Sequence, residues 1–351
     1  MAIGELCLCG SGKKYEDCCD RKLLPTQNKK IAKQHMGELI SIRRSFKKVC
    51  MHPCKEECSE QKTGAHTISR ASILTLISKD NSVYMPVVNG FTGQLELKSL
   101  GIKQQASVFH CFCATHDNNL FKDIDKVNVK FSEKVYFLYA YRIFASTYYK
   151  LLREDYCYER LKRRYDYTQI PEVILFYLGN KRTLSILEQT KVQLERGIVN
   201  EQYNELETVT MELGYRVNFA VSSCFILKVD LLGNKLYWKD NERPLVYITV
   251  VPSSKKTKII FSWLKSHRNI YGFFKEQIMT VPLKFILKYL NNLLPMNCEN
   301  MAISPFLWDE WTTNAKDEFK SVVNDALGII NNKAICPIYF KNRNYDLFRV
   351  I

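Results

Sequence analysis

The stretch that decides the fold runs from Cys50 to Phe121. It opens as Cys50-Met51-His52-Pro53-Cys54-Lys55-Glu56-Glu57-Cys58 and passes through Ala65-His66-Thr67-Ile68-Ser69-Arg70. It closes as Phe109-His110-Cys111-Phe112-Cys113-Ala114-Thr115-His116-Asp117-Asn118-Asn119-Leu120-Phe121. Thiols and imidazoles thus gather at both ends of a segment short enough to form one small module. Two soft ligands from each end would close a tetrahedron around zinc, and such an ion can organise a fold too small for a large core. Cys50 and Cys54 form the candidate first pair. Cys113 and His116, at C-x2-H spacing, form the second, at the start of a helix running from about Cys113 toward Ile124. Cys58, Cys111, His52 and His110 are rival ligands, and spacing alone does not choose among them.

Working outward, the chain has 351 residues, room for two or three domains, and its 46% hydrophobic and 12% aromatic content can build real cores. Nine of the 13 cysteines and five of the six histidines fall in the first third. A secreted disulfide framework would not gather histidines beside its cysteines, so metal binding in a reducing, cytoplasmic compartment explains the joint clustering better. Cys157, Cys224, Cys298 and Cys336 stand apart in apolar surroundings and read as small buried side chains. No apolar run reaches the roughly 20 residues that span a bilayer. The net charge of +15 favours polyanionic partners, nucleic acid above all and DNA as the first expectation.

At the N-terminus stands Cys7-Leu8-Cys9-Gly10-Ser11-Gly12-Lys13-Lys14-Tyr15-Glu16-Asp17-Cys18-Cys19. The Gly-Ser-Gly turn lets two early and two late thiolates face one ion. The stretch closely resembles the SEC-C motif, whose four ligand positions correspond to Cys7, Cys9, Cys18 and Cys19. The resemblance implies a second zinc site and a docking knob for a protein partner such as a chaperone, or for nucleic acid. It does not imply an active site. Between the two cysteine-rich stretches, Gln27 to Lys48 has a helical apolar edge, and nine basic residues from Arg21 to Lys48 are opposed by Glu38, making a solvated connector or a phosphate-contacting face.

His66, a dozen residues past the first ligand pair, and the helix after the second give the 50–130 segment a resemblance to the HNH nuclease module, a treble-clef zinc fold. That resemblance implies His66 as general base and Asp117 with Asn119 as ligands of a catalytic Mg2+ or Mn2+ ion, the thiolate-bound zinc only holding the frame. Ala65-His66 stands where an Asp-His pair is usual, and Asp117 where a histidine would follow the second ligand pair. Residues 101–121 are also similar to a segment of uncharacterised bacterial proteins, some near mobile-element defence genes. Two functions follow: a nucleic-acid-binding, metal-dependent endonuclease in antiviral defence, and a non-catalytic zinc-dependent adaptor.

The remainder reads as scaffold. Phe131 to Arg164 forms a long aromatic helix, in which Arg142 reads as exposed, with Asp117 and Asp123 as the carboxylates within its reach. Thr183 to Leu213 reads as a second, Glu-rich helix. From Tyr215, β-branched and aromatic runs at 217–222, 224–231, 245–251 and 257–263 predict an antiparallel meander covered by helices. The expected class is α+β: small zinc modules, a helical middle, and a sheet with helices in the C-terminal half. The expected boundaries are 1–25 (SEC-C), 26–49 (connector), 50–130 (HNH-like), 131–213 (helical) and 214–351 (α+β).

Overall fold

A computed structural model describes residues 13–14, 17, 29–47, 49–59, 64–89, 95–165, 170–328 and 339–351. The chain divides into two compact units. The first comprises residues 1–48, 90–93 and 147–190, the second 49–89, 94–146 and 191–351. Two of the boundaries, after Ser146 and after Thr190, fall inside helices α4 (Glu133–Leu161) and α5 (Pro171–Val199). The α+β expectation holds.

In the first unit, α1 (Lys29–Ser45) buries His35 and Leu39 and leaves its basic side chains outside. Leu39 packs with Cys157, Tyr158 and Leu161 of α4 and with Ile174, Tyr177 and Leu178 of α5. His35 sits edge-on to Tyr165, with centroids 4.9 Å apart, and to Tyr177 at 6.1 Å. Arg43 makes a two-pronged ion pair with Glu154 (Nε–Oε1 2.9 Å, Nη2–Oε2 2.6 Å), which turns part of the basic face into scaffold. Pro171 opens α5, where its missing N–H costs nothing.

The second unit is built on a seven-stranded antiparallel sheet in the order β3-β2-β9-β6-β7-β8-β5. The strands are β2 (Ser82–Val88), β3 (Leu95–Gly101), β5 (Leu206–Leu213), β6 (Phe219–Ile226), β7 (Leu245–Pro252), β8 (Thr257–Leu264) and β9 (Met301–Ile303). Strands β6, β7 and β8 form the expected meander, with the runs at 217–222 and 224–231 fused in part into the single strand β6. Val221, Ile248, Phe261 and Trp263 form a core with Tyr271 and Phe274 of α6 (Arg268–Thr280), Leu290 and Leu294 of α7 (Leu283–Asn297) and Phe319 of α9 (Thr313–Gly328). Ser304 caps α8 (Pro305–Glu310), accepting from the Phe306 N–H.

Two expectations change. The Glu-rich stretch to Leu213 is not one helix: α5 ends at Val199, Glu201 takes a positive φ of 52°, and β5 then pairs along its whole length with β8. The hairpin β2–β3, which sits between the two halves of the cysteine- and histidine-rich stretch, joins the large sheet, Tyr84 pairing with Ile303. What remains beside the ligands is a two-stranded ribbon of β1 (Ala65–His66) and β4 (Val108–Phe109), with α3 (Ala114–Phe121) following.

Candidate metal centre

The ribbon sets Ala65 against Phe109 and His66 against Val108, so the chain reaches Cys113 directly after a strand end. Cys113, in extended backbone, is the N-cap of α3, and His116 lies in its first turn, 3% exposed. On the opposite side, the Met51 N–H donates to the Cys111 carbonyl (2.7 Å), and the Cys113 N–H donates to the Cys50 sulfur (3.4 Å). The Lys55 ammonium closes on the Cys50 carbonyl. A turn, Cys58 N–H to Lys55 carbonyl at 3.2 Å, then brings the next thiol back.

The result is a cluster of Cys50, Cys58, Cys113 and His116, whose ligand atoms all lie within 4.8 Å of one another; it is the one such group among the described residues. From His116 Nδ1 the sulfurs of Cys50, Cys58 and Cys113 stand at 3.5, 3.6 and 3.2 Å. A tetrahedral zinc with ordinary Zn–S and Zn–N bonds requires S···N separations of about 3.6 Å. The donor set and its spacing therefore fit zinc, bound as a closed structural site.

Electrostatics give the same answer. The Cys58 thiol is pushed up to about 11 by burial and by the neighbouring Cys50 and Cys113 sulfurs. Burial also opposes ionisation of Cys113, but the His116 backbone N–H and the Ser59 hydroxyl and N–H bring it down to about 6. Thiolates packed this closely repel one another, and a divalent soft ion is the kind of charge that would offset that repulsion. His116 Nε2 is buried without a hydrogen-bond partner and stands 3.8 Å from a Glu57 carboxylate oxygen. The His52 ring stacks on His116, with centroids 3.8 Å apart and planes within 8°. Burial, with His116 beside it, lowers His52 to about 4, so it stays neutral and serves as a wall.

Three of the four sequence candidates, Cys50, Cys113 and His116, thus meet, and the fourth position goes to Cys58 in place of Cys54. The Cys54 N–H is engaged with His52 Nδ1 (3.2 Å), and burial together with Glu56 and Glu57 raises its thiol. Cys111 is fully buried and held far above the ordinary thiol range by burial, so it remains a core thiol. His52 and His110 are not in the cluster. The eight described free cysteines form no disulfide. Cys7, Cys9, Cys18 and Cys19 lie outside the described residues; within that stretch, the Asp17 N–H bonds the Lys14 carbonyl at 3.1 Å.

The residues proposed for catalysis are placed differently. His66 bonds the Ile102 carbonyl through Nε2 (2.9 Å), and burial lowers its pKa, so Nε2 carries the proton and Nδ1 the lone pair. Asp117 and Asn119 are separated by about 200° around α3. Asp117 is half-buried and faces Arg142, whereas Asn119 is exposed. Arg142 is not an exposed residue but a fully buried one. Its Nη1 and Nη2 donate to the two carboxylate oxygens of Asp125 (2.8 and 2.6 Å), Nη2 stands 3.7 Å from Asp117, and its guanidinium lies 4.2 Å from the Phe121 ring centre. Burial works against the guanidinium's charge, and Asp125, joined by Asp117 and Tyr139, more than offsets it. Asp117 is itself raised by burial, Arg142 opposing. Nothing in the ligand pattern pointed to Asp125. The usable signal was an arginine on the apolar stripe of a long helix, which has to find a carboxylate if it is buried.

Among the described residues, no helix is long and apolar enough to cross a membrane. A search of protein families matches residues 5–21 to the SEC-C motif, the same stretch whose cysteines suggested it. No curated protein and no solved structure matches the chain.

Proposed function

We propose that this chain is a zinc-stabilised binding protein, an adaptor rather than a nuclease. One structural zinc is held by Cys50, Cys58, Cys113 and His116, and a second by the SEC-C cysteines Cys7, Cys9, Cys18 and Cys19. The SEC-C stretch docks the partner, a chaperone-like protein or nucleic acid being what that motif implies. The observation that carries this reading is Arg142. Phosphodiester hydrolysis through an HNH-like site needs a divalent ion held by oxygens beside the general base. Here a fixed guanidinium, sealed from water, already neutralises Asp125 and approaches Asp117. Asp125 is held by a cation that cannot leave, and Asp117 faces the same guanidinium, which opposes a second cation there.

The nuclease reading retains one specific support. The Nε2–H bond to Ile102 fixes the His66 tautomer that leaves Nδ1 free to accept a proton, which is what a general base requires. The two readings separate in one experiment. Purified protein is first analysed for metal, with two zinc ions per chain expected. It is then incubated with supercoiled plasmid and Mg2+ or Mn2+ beside His66→Ala. The adaptor reading expects no nicking above that of the variant. Cleavage that disappears with His66 would replace it by the nuclease reading.

A further inference from the structure

The second unit carries a basic cleft that the zinc reading leaves unused. One part of it, of about 250 Å3, runs between the π-helical turn Arg70–Leu74, the segment 126–131 and the β7–β8 turn. A second part, of about 370 Å3, continues along Asp123–Val135 and shares Lys126, Asn128 and Phe131 with the first. Five lysines line the two parts, Lys126, Lys130, Lys134, Lys256 and Lys258, against two carboxylates, Asp123 and Glu212.

Each carboxylate is shared. Asp123 receives Lys126 at 2.8 Å and Lys134 at 3.8 Å; Glu212 receives Lys256 at 2.6 Å and Lys258 at 3.7 Å. Lys130 has no carboxylate within ion-pair distance among the described residues. The surplus positive charge is therefore real, and it is spread along a groove in which an extended polyanion could meet several ammonium groups at once. The wall is not purely ionic. Phe131, Val129 and Pro252 form an apolar strip, with Lys258 lying 4.7 Å above the Phe131 ring. At the back, Ser72 lines the cleft on the π-helical turn, a backbone form that recurs at functional sites, and its Oγ is buried with no hydrogen-bond partner. A buried hydroxyl left unsatisfied costs the free protein stability and gains by turning toward a ligand oxygen.

We infer that this cleft binds a nucleotide phosphate chain, the phosphates lying across Lys126, Lys130 and Lys256 and the base or sugar against the Phe131 strip. The source is a single strand or a free nucleoside polyphosphate, and the chemistry recognised is the same. The cleft shares no residue with the zinc sites.

The test uses the full chain, zinc-loaded, and fluorescence anisotropy with a labelled oligothymidylate of about 20 nucleotides at several salt concentrations. Lys130→Glu/Lys256→Glu is expected to weaken binding at least ~tenfold and to flatten the salt dependence by roughly 1.4 in log–log slope, the loss of two single-strand phosphate contacts. Lys275→Glu, an exposed reversal on α6, is expected to stay within about twofold of wild type, as long-range screening allows. Ser72→Ala should leave the melting temperature unchanged or raised while weakening binding, a combination that a merely structural hydroxyl would not give. Competition by ATP assigns the cleft to a free nucleotide; resistance to ATP assigns it to a strand. Absence of binding to both probes at low salt, or binding that the double reversal leaves unchanged, overturns the inference.

Discussion

Cys54 and Cys58 have the same side chain and almost the same position in sequence, yet the fold uses them differently. The difference lies in the backbone. The Cys54 N–H is committed to His52 Nδ1, while the turn at Lys55 returns Cys58 to within 3.6 Å of His116 Nδ1. Cys58→Ser should therefore lose the second unit's zinc and lower the melting temperature by many degrees, since binding free energy at a structural site is folding free energy. Cys54→Ser should keep full zinc content by elemental analysis; if it loses zinc and Cys58→Ser does not, Cys54 is the fourth ligand and Cys58 a bystander. Arg142 is a second residue-level test. Arg142→Met removes a cation and leaves Asp125 and Asp117 facing one another partly dehydrated. Breaking a buried pair costs about 3–5 kcal/mol, and the 37% exposure of the Asp125 carboxylate places the expected loss near the lower end, about 3 kcal/mol by urea denaturation. Asp125→Asn in the same background should return part of it, because the uncompensated charge is then gone.

At the scale of elements, α5 gives a prediction that needs no chemistry. Gly197 lies in its last turn, where an added Cβ would stand 2.6 Å from Phe137 Cζ and 2.8 Å from the Gln202 carbonyl oxygen. Backbone cannot yield as a side-chain tip can, so Gly197→Ala should cost about 1–3 kcal/mol in urea denaturation. Gly179→Ala in the same helix meets nothing within 4 Å and should stabilise by about 0.5–1 kcal/mol through helix propensity. Equal effects at both positions would mean that the end of α5 is packed differently. The same region shows where sequence reading stops. Strands β6, β7 and β8 were legible because buried strands read as runs of β-branched and aromatic residues. Strand β5 was not, because it alternates Val209, Met211 and Leu213 with Thr208, Thr210 and Glu212 at the sheet edge, and Glu207 and Glu212 continue the charge pattern of α5 across the break at Glu201. The ligand pairs were legible as types and ends, since thiols and imidazoles cluster for few other reasons. The choice between Cys54 and Cys58 was not, since it depends on hydrogen bonds that spacing does not encode.

For the molecule as a whole, each unit carries its own acid-sensitive histidine. His35 in the first unit, and His66 and His267 in the second, are all lowered from the ordinary 6.5, and burial is the leading cause in every case. The folded protein holds these rings neutral, whereas the unfolded chain protonates them at their ordinary value. Above pH 6.5 both states are neutral and the contribution to stability is complete. As pH falls through 6.5 the unfolded chain takes up protons that the folded one refuses, so stability declines until each folded-state pKa is reached. Acid also releases zinc from thiolates, so the decline has to be measured on chelator-stripped as well as zinc-loaded protein. Melting temperature should fall between about pH 7 and about pH 5 in both forms, more steeply in the zinc-loaded one. His35→Phe places an apolar ring between Tyr165 and Tyr177 and should flatten the first unit's share of that decline, read by native-state hydrogen exchange over α1. If α1 protection falls with pH as steeply in His35→Phe as in wild type, the buried imidazole is not what makes the first unit acid-labile, and the burial of α1 against α4 and α5 has to be stabilised in some other pH-dependent way.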